Sequence, residues 1–312
     1  MKTCLACYNY FTTNGWQCPV CAFTPEYKNG FACLAPNVYE SHTELDEESF
    51  QLLNYLQPKS FWFKARNKLI VWAIKKNFPQ AKSFLEIGCG TGFVLNRIAQ
   101  EIPHLSIFGS ELSMAGLSYA AQTVSRAELF QMDALKIPFN AEFDVIGAFD
   151  VLEHIESDHV VLSQIYKATK PGGGIIVTVP QHKYLWSYFD EMSKHYRRYS
   201  KQELESKLEA AGFKVAMSTS FVSLLLPILI ASRLLVNQRS DEEISKHLHA
   251  TGLINSFLGS VLALEYMLIN SGLRFPFGGS LLMVGYRMSI SHHEIAPPHF
   301  FIIPPLRCSW QP

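Results

Sequence analysis

The sequence predicts an α/β fold in which a mostly parallel, seven-stranded sheet carries helices on both faces, with a small cysteine-rich module ahead of it. Three observations predict it. Short, almost wholly apolar runs alternate with amphipathic helical runs from Ser83 to Val179, the pattern of parallel strands buried on both faces. One of those runs passes directly into the turn Gly88-Cys89-Gly90-Thr91-Gly92 and then into a helix. Four of the seven cysteines sit near the start, as Cys4-x2-Cys7-x10-Cys18-x2-Cys21. The chain of 312 residues is long enough for one sizeable domain plus extras. Lys+Arg and Asp+Glu both number 27, a balance that argues against nucleic-acid binding. With 48% hydrophobic and 17% charged residues the chain is not disordered, and it has apolar surface to spare for a partner or a membrane. Met1-Lys2-Thr3 opens no apolar signal segment, so the expectation is a cytoplasmic protein, with peripheral contact at a membrane's inner face left open.

The elements follow in order. Residues 1–35 are rich in cysteine, aromatic and turn residues. Residues 36–82 form a helical linker and pocket cap: an acidic stretch (Glu44, Asp46, Glu47, Glu48) leads to a helix over Phe61–Lys76, stopped by Asn77-Phe78-Pro79. Strands are expected at Ser83–Ile87, Leu105–Gly109, Ala127–Gln131, Phe143–Phe149, Gly174–Val179, Phe213–Met217 and Ser280–Arg287. Helices fall between them at Phe93–Ile102, Met114–Val124, Ser157–Thr169 and Lys201–Ala211. The main domain therefore spans 83–290, interrupted by a hydrophobic helical insertion at about 218–279, and the proline-rich stretch 291–312 is assigned no structure. Residues 215–232 carry no charge, and they are expected to form a pocket wall or a membrane-facing helix; Leu253–Asn270 is a second apolar helix.

The glycine turn is where a backbone bends sharply enough for a ligand to lie against it. A dinucleotide site requires a small residue where this chain has Phe93, so that reading fails on spacing. S-adenosylmethionine, which has an ammonium and a sulfonium but no pyrophosphate, suits a turn preceded by Glu86. Glu111, after the second strand, stands where a carboxylate accepts ribose hydroxyls, and Asp133, after the third, where one accepts an adenine amino group.

With Gly109-Ser110-Glu111-Leu112-Ser113, Gln131-Met132-Asp133-Ala134, Phe143 to Ile155 and Lys170-Pro171-Gly172-Gly173-Gly174, the chain resembles the class I S-adenosylmethionine-dependent methyltransferases. The resemblance covers roughly residues 60–217 plus 280–288 and is greatest to those of quinone and small-molecule biosynthesis. It implies a Rossmann-like fold and cofactor contacts at Glu86, Gly88, Gly90, Gly92, Glu111, Leu112, Asp133, Ala134 and the Phe149 backbone, with Arg66 on the cofactor's carboxylate. Many members carry aspartate where this chain has Glu111.

Two Cys-x2-Cys pairs supply a closed tetrahedral thiolate site, so Cys4, Cys7, Cys18 and Cys21 are expected to hold a structural zinc in a zinc ribbon. For methyl transfer, His154 and His195 are the candidate general bases. Arg197, Arg198 and Tyr199 are candidates for binding the acceptor, against the alternative of a loop salt-bridged to Asp190 and Glu191. The leading expectation is O-methylation of a small-molecule or lipid-like acceptor. The alternatives are a zinc-ribbon RNA methyltransferase, disfavoured by zero net charge and by a ribbon whose only basic residues are Lys2 and Lys28, and a non-catalytic assembly factor.

Overall fold

The computed structural model describes residues 1–36, 38, 47–235 and 252–289. The stretch 291–312 lies outside them. Strands β1 (Lys2–Thr3) and β2 (Tyr10–Phe11) make a small hairpin, and β3 (Tyr27–Lys28) and β4 (Phe31–Cys33) a second. Helices α1 (Glu47–Leu56) and α2 (Phe61–Asn77) follow. Next come β5 (Ser83–Ile87), α3 (Phe93–Glu101), β6 (Ser106–Glu111), α4 (Met114–Thr123), β7 (Ala127–Gln131) and β8 (Phe143–Phe149). Then α5 (Asp158–Ala168), β9 (Thr169–Pro180), the short α6 (Tyr188–Met192), α7 (Lys201–Ala210) and β10 (Phe213–Phe221) lead to α8 (Leu226–Leu235), α9 (Leu253–Asn270) and β11 (Ser280–Arg287).

The main sheet has nine strands in the order β10-β11-β9-β8-β5-β6-β7-β4-β3. Seven are the expected ones. The other two come from the cysteine-rich end: β4 lies parallel to β7, with Ala32 opposite Phe130, so residues 27–33 extend the sheet edge. Only β11 and β3 run against the rest. Successive side chains of a strand face opposite layers. Ile175, Val177, Leu281 and Met283 accordingly pack in the layer with α5 and α7, while Ile176, Leu282 and Val284 pack in the layer with α2 and α3.

The cysteine-rich hairpin is built into the first of these layers. Trp16, 4% exposed, meets Phe130 and Phe139 edge-on at centroid distances of 5.7 and 5.4 Å.

The uncharged run 215–232 is not one helix. Its first residues prolong β10 to Phe221, where they pair with β11, and Pro227 sits in the first turn of α8, where a missing N–H costs nothing. Helix α9 lies along α2, with Leu262, Glu265 and Ile269 buried. Glu265 turns inward and accepts the backbone N–H groups of Val222, Ser223 and Leu224 at 2.7, 2.7 and 2.8 Å. Those bonds hold Val222 at φ 59°, a conformation that a β-branched residue rarely adopts.

Candidate functional site

Because β5 to β9 are parallel, their carboxyl ends gather on one edge, and Ile87, Glu111, Gln131, Phe149 and Pro180 mark it. The glycine turn opens from β5. Gly90 has φ +52° and nothing within 4 Å of where a Cβ would stand, so its backbone borders open space. Gly92, at φ +76°, starts α3; a Cβ there would meet the Ala120 backbone at 3.0 Å. The turn is therefore glycine for backbone conformation at both positions and for close packing at the second.

Carboxylates at the ends of the neighbouring strands stand near it. Glu86 is 2% exposed and its Oε2 has no hydrogen-bond partner. Burial pushes its carboxyl well above the usual range, opposed by the Arg66 guanidinium and reinforced by Glu111. Glu111 Oε1 accepts the N–H groups of Leu112 and Ser113 at 2.7 and 3.1 Å, and Oε2 accepts that of Gly90 at 3.0 Å. A carboxylate offers about four acceptor directions, so one remains for a ligand. Asp133 is half-buried and caps its own turn through the Leu135 N–H at 2.9 Å; Leu112 and Ala134 are half-buried beside these carboxylates at the ends of β6 and β7.

The helical cap closes over this edge. Gln57 accepts the Thr91 hydroxyl, and Asn67 Nδ2 donates to the Phe93 carbonyl at 3.2 Å. Arg66 is buried beneath and is ion-paired to Asp150, which follows β8 at φ 57°. Its Nε has no partner, and burial lowers its pKa to about 10. Phe149, last in β8, stacks against Phe84.

Past β8 and β9 the two expected histidines come together, with ring centroids 4.6 Å apart. His195 Nδ1 lies 2.9 Å from Asp190 Oδ1. Asp190 is fully buried and saturated: Arg198 Nε reaches the same oxygen at 2.7 Å, and the Ser187 N–H and hydroxyl reach Oδ2 at 2.9 and 3.0 Å. Burial alone would raise the Asp190 carboxyl, but the His195 and Arg198 bonds bring it down to about 2. Burial lowers the His195 pKa below its usual value, with Asp190 opposing. Near neutrality His195 is therefore an uncharged imidazole, held at Nδ1 and able to accept a proton at Nε2.

The expected acceptor-binding residues are engaged with carboxylates and a carbonyl of the chain itself. Arg198 is 6% exposed and spent on Asp190 and the Gln181 carbonyl. Arg197 pairs with Asp158 at 2.8 Å, and the fully buried Tyr199 donates to the same carboxylate at 2.7 Å. Sequence reading had no means of choosing Asp158 for them.

Two residues not singled out in the sequence also follow strand ends on this edge. Glu153, adjacent to His154, is 1% exposed with an unpartnered Oε2, and burial lifts its carboxyl to about 8. His182, at φ 64° just past β9, stacks on Tyr184 and has an unpartnered Nε2. A non-glycine residue at positive φ after a strand leaves no mark in sequence.

In the cysteine-rich hairpin the four thiols converge, with Cys4 Sγ 3.6 Å from Cys21 Sγ and Cys7 Sγ 3.7 Å from Cys18 Sγ. A tetrahedron with metal–sulfur bonds of about 2.3 Å has edges of about 3.8 Å, so the set fits one zinc. The Asn9 side-chain and backbone donors lower the Cys7 thiol to about 6, towards the thiolate a metal needs.

Comparison with known proteins gives a consistent picture. A family model described as a methyltransferase domain matches residues 32–217. Phosphoethanolamine N-methyltransferase 2 of Caenorhabditis elegans is 30% identical over 156 residues, 47% of this chain and 34% of that protein. The ubiquinone biosynthesis O-methyltransferase of Hydrogenovibrio crunogenus is 24% identical over 157 residues, 48% of this chain and 60% of that one. This chain thus spans less than two thirds of either relative. Among solved structures, the Haemonchus contortus phosphoethanolamine N-methyltransferase 2 in complex with S-adenosyl-L-methionine has the same fold, with TM-score 0.53 and 18% identity over 81% of this chain and 60% of that one.

Proposed function

The chain belongs to the methyltransferase-domain family, and on that premise we propose that it moves the methyl group of S-adenosylmethionine onto an oxygen of a small-molecule or lipid-like acceptor. The observation that carries the proposal is the Asp190–His195 pair at the edge where the glycine turn opens.

The residues around the turn suit the cofactor. Glu86 Oε2, buried without a partner, is a seat for its ammonium, and the free acceptor direction of Glu111 is one for a ribose hydroxyl. Asp133 and Ala134 flank the adenine position after β7, and Leu112 and the Phe149 backbone line the same crevice. Arg66 takes the cofactor's carboxylate only by sharing its guanidinium with Asp150.

When bound, the cofactor supplies a methyl carbon already activated by the sulfonium. The chain's own share is to hold the acceptor in line and to remove its proton. His195 does the second: Nε2 takes the hydroxyl proton, and Asp190 stabilises the imidazolium through Nδ1–H. His154, 4.6 Å away, bounds the same space. An oxygen acceptor fits this arrangement because an alcohol or phenol must lose a proton to become a good nucleophile.

The four-cysteine site is read as a structural zinc, since four thiolates leave no position open for chemistry.

The experiment is S-adenosylhomocysteine release by the full chain, supplied separately with phenolic and polyprenyl-alcohol compounds and with RNA. Turnover with the hydroxylated small molecules, slowed roughly 10²- to 10⁴-fold in His195→Gln while S-adenosylmethionine affinity is kept, is the expected result. Turnover with RNA alone would overturn the choice of acceptor.

A further inference from the structure

Helix α9 shows an apolar face that no described part of the chain covers. Leu253, Phe257, Ser260, Leu264 and Met267 recur at spacings of three and four, which places them on one stripe of the helix. Leu253 is 90% exposed, Phe257 63% and Met267 57%. The helix has mean hydropathy 1.4 over 18 residues, long enough to cross a bilayer by composition. Its packing forbids that: Asn255 bonds the Phe61 N–H and the Lys59 carbonyl, and Leu262, Glu265 and Ile269 are buried within the fold. The helix lies on α2 and offers only its outer stripe.

Beside the stripe, between α9, α2 and α3, opens a cleft of about 520 Å³ lined by Lys68, Lys75, Lys76 and Arg97, with Glu101 as its single carboxylate. Glu101 is shared by Lys75 and Arg97. The Lys68 ammonium stands over the Tyr266 ring at 4.1 Å, and Lys76 over Trp72 at 5.0 Å, each an aromatic–cation pair with its charge at the surface. An apolar helical face rimmed by exposed lysines and by Tyr266 is the arrangement of a helix lying in a membrane interface.

We propose that this face docks on an anionic phospholipid surface, with the α9 stripe entering the acyl boundary and the Lys68–Lys76–Arg97 cleft receiving headgroup phosphate. The excess of cations over the single carboxylate complements anionic headgroups. It also disfavours a second copy of this chain as the occupant, since a symmetric pairing would set two such clefts close together. The proposal goes beyond the methyltransferase reading and does not rest on it.

The test is co-sedimentation of the full chain with vesicles of phosphatidylglycerol and phosphatidylcholine in equal parts, and with phosphatidylcholine alone. Binding is expected on the anionic vesicles and is expected to weaken with salt. The triple variant Phe257→Ser, Leu264→Ser, Met267→Ser should lose about tenfold in affinity per side chain removed. Lys68→Gln with Lys76→Gln should abolish the preference for anionic vesicles. All replaced side chains lie outside the catalytic edge, so both variants should keep the parent's circular dichroism and its S-adenosylmethionine affinity, which separates failure here from failure of the proposed activity. Absence of sedimentation with anionic vesicles, or sedimentation untouched by the triple variant, would overturn the proposal. So would a dimer in light scattering that the same three substitutions dissolve.

Discussion

His195 Nδ1 stands 2.9 Å from Asp190 Oδ1, and Arg198 Nε reaches the same oxygen at 2.7 Å, so one fully buried carboxylate orients the imidazole and is itself held in place. Replacing His195 by Gln removes the proposed base and leaves the glycine turn intact. We expect kcat to fall by roughly 10²- to 10⁴-fold, the usual range for a lost general base, with cofactor affinity unchanged. Steady-state kinetics with a competent acceptor, alongside calorimetry, measure both.

The pH profile follows from the same pair. The folded pKa of His195 is lowered, so the base form is present at neutrality and is lost as pH falls through that lowered value. Activity should rise on leaving the acid range, with its midpoint below the usual histidine pKa of about 6.5. A midpoint above that value would contradict the burial of this ring.

Glu111 is expected to carry cofactor affinity. Glu111→Gln keeps the shape but removes the charge that accepts the Gly90, Leu112 and Ser113 N–H groups and a ligand hydroxyl. Calorimetry should show S-adenosylmethionine binding weakened by about 1.5–3 kcal/mol. An unchanged dissociation constant would remove Glu111 from the site.

Much of this was readable in the chain and some was not, for physical reasons. The glycine turn and the strands beside it were clear because apolar periodicity and glycine at left-handed positions are local properties. Strands β3 and β4 are too short to have a period; they exist because Ala32 finds Phe130 a hundred residues away. Asp190 was readable as a partner for the arginine pair, and Arg198 meets it, but Asp150 for Arg66 and Asp158 for Arg197 were hidden, since spacing cannot say which of several distant carboxylates a guanidinium will meet. In the run 215–232 the strand start to Met217 was legible, but its continuation to Phe221 was not, because that depends on pairing with β11 some sixty residues later.

Glu153 makes stability depend on pH. The unfolded chain releases this proton near 4.5, whereas the folded chain holds it to about 8. Between those values the folded state binds more protons, so this carboxyl costs stability as pH rises. Glu153→Gln, neutral throughout, should gain in melting temperature relative to the parent as pH goes from 5 to 8, followed by circular dichroism. A constant difference would mean Glu153 is ionised across that range.

Metal analysis of freshly purified protein should find one zinc for Cys4, Cys7, Cys18 and Cys21. Because Trp16 packs on Phe130 and Phe139, chelation should disturb the sheet layer as well as the hairpin. The expected signs are a red shift of tryptophan emission and a lower melting temperature for the whole chain. A melting curve untouched by complete metal removal would show that the hairpin stands without it.

The central claim is that the glycine turn and its carboxylates form a seat for S-adenosylmethionine. Calorimetric titration of the full chain with S-adenosylmethionine tests it most directly. The account predicts saturable binding at one site per chain, lost in Gly90→Val, whose side chain would occupy the open space at φ +52°. No saturable binding to the parent chain, or equal binding to the Gly90 variant, would contradict it.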